Sequence, residues 1–211
     1  MLFAKKEKPE IFKDSSVVAD SYSEIASRLI NKLQDTKNRV IAFTSSVSGE
    51  GCTETVLGVA SALTSAGKKV LVIDANHKDP TLHTRLETEN KEGFSDLLTN
   101  GGAIKNYVSK HSLGFDLMTF GTKPQEYLET FDAENFEKVI TSIKEKYRYV
   151  VIDTPPVAKI SEPSAALYKL SSTLLVARMN LVTTKDIKKS LAFAKEFGFE
   201  FVSVVLNGAE K

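Results

Sequence analysis

Residues 40–53, VIAFTSSVSGEGCT, set the tightest condition on what this chain can become. A short apolar run, Val40 to Phe43, passes into Ser- and Gly-rich sequence and then into a stretch that reads as helix from about Cys52. Strand, glycine loop and helix in that order form the setting of a phosphate-cradling loop. Glycines let backbone N–H groups converge on an anion, and the helix adds its unpaired amides and positive dipole end. The pattern is G-x-x-x-x-G-K-[ST], and its register here runs Ser46-Val47-Ser48-Gly49-Glu50-Gly51-Cys52-Thr53. The lysine position holds a cysteine.

Downstream, Lys69–Asp74 is an apolar run too continuous for a strand with one wet face, Tyr149–Asp153 reads as another core strand, and Phe115–Thr119, Ser172–Arg178 and Phe201–Leu206 read as further strands. Helical spacing marks Asp20–Leu33, with Asp20 or Ser21 as cap, then Thr53–Ser65 ended by Gly67, Ala133–Lys146, Ser164–Lys169 and Thr184–Phe197. Asn76–Asn106 is loop-rich, with one short helix at Gly93–Leu98. Strands alternating with helices predict an α/β fold, a mostly parallel sheet with helices on both faces. A chain of 211 residues suits one such domain, over 20–211, preceded by a mobile N-terminal segment over 1–19.

A net charge of +1 gives no bulk attraction to nucleic acid or to an anionic membrane. One cysteine excludes an internal disulfide and fits a reducing cytoplasm. No apolar run approaches the roughly 20 residues of a membrane span, and the lysine-bearing start has no apolar core of a signal peptide.

In a sheet of this kind ligands bind beyond the carboxyl ends of the strands. Two strands end in aspartate there, Asp74 and Asp153. A carboxylate at that place holds Mg²⁺, usually through water, opposite the phosphates of the loop, with Thr53 as a further ligand. The plainer alternative is that each aspartate caps the turn that follows. His77, His83 and His111 lack metal-ligand spacing, and His83 reads as a polar loop residue.

Taken together, Val40–Thr53, Gly67–Asn76 with Pro80, Gly93–Leu98, Val151–Pro156 and Val204–Asn207 resemble the bacterial tyrosine kinases of the CpsD/CapB type, within the MinD/ParA-like P-loop proteins. The resemblance covers roughly residues 20–207. It implies a P-loop NTPase fold, Mg-ATP or ADP as ligand, and a cytoplasmic place beside a membrane protein that sets polysaccharide chain length in capsule and exopolysaccharide synthesis. By the same resemblance Gly49, Glu50, Gly51, Cys52, Thr53, Glu54 and Asn207 face nucleotide, Thr53, Asp74 and Asp153 face Mg²⁺, and Asp74 and Asp153 are what remains of the catalytic set.

The departures decide the expected activity. Where the family has Gly-Lys-Ser/Thr-Thr, this chain has Gly51-Cys52-Thr53-Glu54, and where it has Asp-x-Asp it has Asp74-Ala75-Asn76, with Lys78 at the arginine position. The segment before the fourth helix is shortened to Gly121–Glu126, and on an alignment at Glu24 the two ring-assembly arginines become Ser27 and Ile30, with Arg28 nearby. The six tyrosines lie at 22, 107, 127, 147, 149 and 168, none in a tail. The expectation is a pseudokinase or weak nucleotide-binding regulator, docking on the membrane protein, on a kinase paralogue or on its own copies, without inserting in the membrane. An active tyrosine kinase working in trans is the alternative. A ParA/MinD-like positioning ATPase is a further one, weakened by Val47 and Ser48 where a signature lysine belongs. Two side-chain possibilities accompany these readings: Glu54 placing its own carboxylate in the cradle, and Cys52 at the helix start having a lowered thiol pKa.

Overall fold

The computed structural model describes residues 16–36, 39–123, 133–160 and 167–208. In chain order its elements are α1 (Ser16–Lys32), β1 (Val40–Ser45), α2 (Cys52–Ser65), β2 (Val70–Asp74), α3 (Leu82–Arg85), α4 (Phe94–Asn100), β3 (Ser109–Lys110), β4 (Asp116–Met118), α5 (Ala133–Lys144), β5 (Tyr149–Asp153), β6 (Ser172–Arg178), α6 (Thr184–Glu196) and β7 (Glu200–Asn207). Single 3-10 turns stand at Ile104–Asn106 and Val157–Lys159.

The strands form one sheet in the order β3-β4-β2-β5-β1-β6-β7. Every ladder is parallel except that of β3 on β4. The predicted α/β architecture is therefore the observed one. Alternation along the strands divides the interior in two. Val40, Ala42, Leu71, Ile73, Val150 and Ile152 pack on the side of α4, α5 and α6. Ile41, Phe43, Val70, Val72, Tyr149 and Val151 pack on the side of α1 and α2. Burial of both strand faces explains why these segments read as unbroken apolar runs. Where α1 crosses α2, Gly58 removes the side chain that would collide with the Tyr22 ring.

Some boundaries differ from expectation. Helix α1 begins at Ser16, a turn before the expected cap, so residues 16–19 are helical. The hydroxyls of Ser21 and Ser23 donate instead to the carbonyls of Val17 and Ala19 one turn back, a bond made inside a helix rather than at its start. His83 lies in α3, not in a loop. That helix and β3 were not foreseen. Of the expected helix at 164–169, residues 167–169 are helical and 164–166 lie outside the described residues, as do residues 1–15 and the end of the 121–126 segment. Among the described residues no helix is long and apolar enough to cross a membrane.

Candidate functional site

The loop between β1 and α2 is shaped by two glycines in the left-handed region, Gly49 at φ 87° and Gly51 at φ 82°. Gly51 also has no room for a side chain, because a Cβ there would lie 2.1 Å from Asn207 Nδ2. That amide donates to the Glu50 carbonyl at 2.9 Å and ties the loop to the end of β7. The Glu50 side chain is buried and turned inward. Its carboxyl oxygens accept from the backbone N–H of Val47 at 2.8 Å and of Arg178 at 3.2 Å, bracing the loop against β6. Glu50 is thus part of the loop's frame, a role fixed by a contact 128 residues away and carrying no sequence signal.

Behind the loop, Asp74 and Asp153 stand at paired positions of β2 and β5, both fully buried. Asp74 accepts from the N–H of Asn76 at 3.1 Å and of Leu82 at 3.0 Å, so it does cap the following turn and holds α3 in place. Asp153 Oδ2 accepts from Thr53 Oγ1 at 2.8 Å, while its Oδ1 has no partner among the described residues. Burial first, and then the neighbouring Asp153 charge, push Asp74 up to about 8 against the pull of its backbone donors. Burial likewise raises Asp153 to about 7, with the Thr53 hydrogen bond opposing and Glu54 adding to the rise. At paired positions of neighbouring strands, in a buried site, both carboxyls favour the protonated form.

Cys52 lies beside this pair. Burial, followed by the Asp153 carboxyl, pushes its thiol pKa up, against the lowered value that a helix start alone would give. Glu54 keeps its Oε2 beside the loop, 4.0 Å from where a Cβ on Gly51 would sit. It forms an ion pair with Arg85 of α3 at 3.1 Å. The cations that touch the loop do so at its rim, Lys159 Nζ on Ser48 Oγ at 3.2 Å and Arg178 Nη1 on the Gly49 carbonyl at 3.4 Å. Asn76 Oδ1 accepts from the Asp79 N–H at 3.3 Å within its own turn. Loop, Thr53, Asp74, Asp153 and Asn207 lie together at one end of the sheet, and Arg85, Lys159 and Arg178 join them from elements the sequence did not connect to the loop. The hydroxyl of Thr53, the free oxygen of Asp153 and, through water, Asp74 are hard donors that suit Mg²⁺. Position 52, where the pattern has its lysine, supplies no ammonium group, and among the described residues Lys159 reaches the loop only at Ser48.

A family model described as an AAA domain matches residues 38–198. The chain is 29% identical over 176 residues to the tyrosine-protein kinase wzc of Salmonella typhi, covering 83% of this chain and 24% of that protein. It is 26% identical over 198 residues to the tyrosine-protein kinase etk of Escherichia coli K12, covering 92% of this chain and 27% of that one. It thus spans about a quarter of the length of the curated relatives it matches. The kinase domain of Escherichia coli tyrosine kinase ETK superposes with a TM-score of 0.82 at 22% identity, covering 92% of this chain and 78% of that one. The septum site-determining protein MinD of Pyrococcus horikoshii, solved with Mg-ADP, gives 0.67 at 21% identity, with 82% and 72% covered.

Proposed function

Because the chain belongs to the AAA-domain family, as a member of its bacterial tyrosine kinases with a P-loop fold, we propose that it is a regulator that binds nucleotide weakly or not at all. It acts on the cytoplasmic side, docked on the inner end of a membrane protein that sets polysaccharide chain length or on an intact kinase paralogue, in capsule or exopolysaccharide synthesis. One observation carries this reading: the position that supplies the cation of a phosphate loop is Cys52, a partly buried thiol beside the buried Asp153 carboxyl.

A unit charge ~4 Å from a phosphate is worth about 4 kcal/mol at an effective dielectric near 20, before desolvation. A neutral thiol supplies none of it. Glu54 is partly neutralised by Arg85, so its repulsion of a phosphate is smaller than its bare charge implies. The relatives' fold family is known with Mg-ADP in the MinD structure, and the present donors suit the metal better than the phosphates. Mg²⁺, when bound, supplies neutralisation of phosphate charge. In this chain Thr53, Asp153 and Asp74 would hold it, the amides of Gly49 to Thr53 would face the anion, and Asn207 and Glu50 would keep that loop in shape. Asn76, which replaces a carboxylate in the resemblance, removes a base rather than a fold contact.

Calorimetric titration with Mg-ATP and Mg-ADP tests the reading. The expected dissociation constant is weaker than about 100 µM, and one tighter than about 10 µM overturns it. Lys159 and Arg178 at the loop rim favour a second reading, a kinase acting in trans with an unorthodox cation. Phosphotyrosine on a co-expressed partner, lost on Asp153→Asn, would establish that one.

A further inference from the structure

Helix α6 turns Ala194, Ile187 and Leu191 toward the core that contains Val40, Ala42 and Leu175. Its opposite face exposes Lys185, Lys188, Lys189 and Lys195. At 3.6 residues per turn these four ammonium groups fall within an arc of about 120°, with Phe193 at one edge. That ring is 37% exposed. Lys169 extends the patch past the end of the helix, its Cε lying 3.8 Å from where a Cβ on Gly198 would sit. Two acids lie near it: Asp186, which caps the helix with Thr183 and attracts Lys185 and Lys189, and Glu196 within the exposed arc, so five lysines against two carboxylates leave a surplus of three positive charges. Among the described residues none of the five lysines takes part in a salt bridge.

We propose that this face of α6 docks electrostatically on an anionic lipid bilayer, with Phe193 entering the headgroup region. The chain's net charge of +1 conceals the patch because it averages over the whole molecule. The choice of a bilayer over a protein partner rests on the residue types. Lysine is a compact, strongly hydrated point charge on a flexible stem, suited to a diffuse sheet of headgroups. A specific carboxylate partner is matched by the fixed fork of arginine, and lysine is depleted at protein interfaces. The arc holds lysines and no arginine. A basic helix face with a flanking aromatic side chain is the form that binds anionic lipid surfaces. The proposal does not depend on the regulator reading, since vesicles contain neither nucleotide nor a protein partner.

The test is co-sedimentation of the full chain with phosphatidylcholine vesicles containing or lacking about one-third phosphatidylglycerol, at ~0.1 M and ~0.5 M salt. Binding is expected only with phosphatidylglycerol and only at the lower salt. At about 1 kcal/mol, or roughly fivefold, per lysine, replacing Lys185, Lys188, Lys189 and Lys195 together with Gln is expected to weaken it more than 100-fold. A control with Gln at Lys91, Lys105, Lys110 and Lys146 makes the same charge change elsewhere and is expected to lose less than tenfold. Phe193→Ala is expected to weaken binding without changing its salt dependence. Circular dichroism confirms that each variant is folded. Failure to bind phosphatidylglycerol vesicles, or equal losses in the α6 and control variants, overturns the proposal, as does retention only on an acidic polypeptide.

Discussion

Asp74 and Asp153 are held in the fold more cheaply as neutral acids than as anions, since burial deprives both of water, Asp74 feels the Asp153 charge and Asp153 that of Glu54. Their folded pKa values, about 8 and about 7, lie above the ordinary aspartate value of 3.8. Between those limits the native state binds more protons than the unfolded chain, so stability falls as pH rises, by up to ~1.4 kcal/mol per pH unit for each extra proton held. In metal-free buffer, urea unfolding is therefore expected to give greater stability at pH 5 than at pH 8. Asp153→Asn removes one carboxyl of the pair and is expected to flatten that profile. A wild-type profile that rises over this range would refute the account. Burial and the Asp153 carboxyl also hold the Cys52 thiol protonated, since a thiolate would set a negative charge beside that carboxyl. Reaction with a neutral-pH thiol reagent is expected to be slow in the native state and fast in urea.

At the level of strands, loops and helices, the phosphate-type loop is fixed from behind by two tertiary contacts. Gly51→Ala forces a side chain onto Asn207 at a positive φ, and a loss of about 2 kcal/mol is expected, read by denaturant midpoint. Asn207→Ala forfeits the hydrogen bond to the Glu50 carbonyl but removes the clash, so the double variant is expected to cost less than the two single losses added together. These contacts also show where sequence reading runs out. Strands β1, β2, β5 and β6 were legible because burial on both faces forces an unbroken apolar run, and the loop was legible because its glycines are spaced by phosphate geometry. The start of α1 was misread because a Ser and an Asp that resemble a cap sit inside the helix. Short α3 was missed because much of what holds it is the Asp74 carboxyl accepting from Leu82, a bond with no periodicity to betray it. Arg85 reaching Glu54, and Glu50 reaching Arg178, are likewise facts of folding rather than of spacing.

For the molecule as a whole, the strand order delivers the ends of five parallel strands to one edge of the sheet: Ser45, Asp74, Asp153, Arg178 and Asn207. That convergence comes from topology and does not depend on Cys52, so the arrangement of the strand ends survives the loss of the cation. Restoring three side chains, Cys52→Lys, Glu54→Thr and Asn76→Asp, separates scaffold from chemistry. If the revertant binds Mg-ATP at ~10 µM, ligand at ~5 mM stabilises it by about 3.7 kcal/mol, while a wild type binding at ~5 mM gains about 0.4 kcal/mol. For a domain near 200 residues, roughly 2–4 °C per kcal/mol turns this into a melting shift of about 7–15 °C against about 1 °C. Replacing the Glu54 carboxylate also breaks the ion pair with Arg85, so the unliganded revertant is the reference for its own shift. A revertant as unresponsive as the wild type would locate the loss in the loop backbone that Glu50 and Asn207 hold, and not in the three side chains.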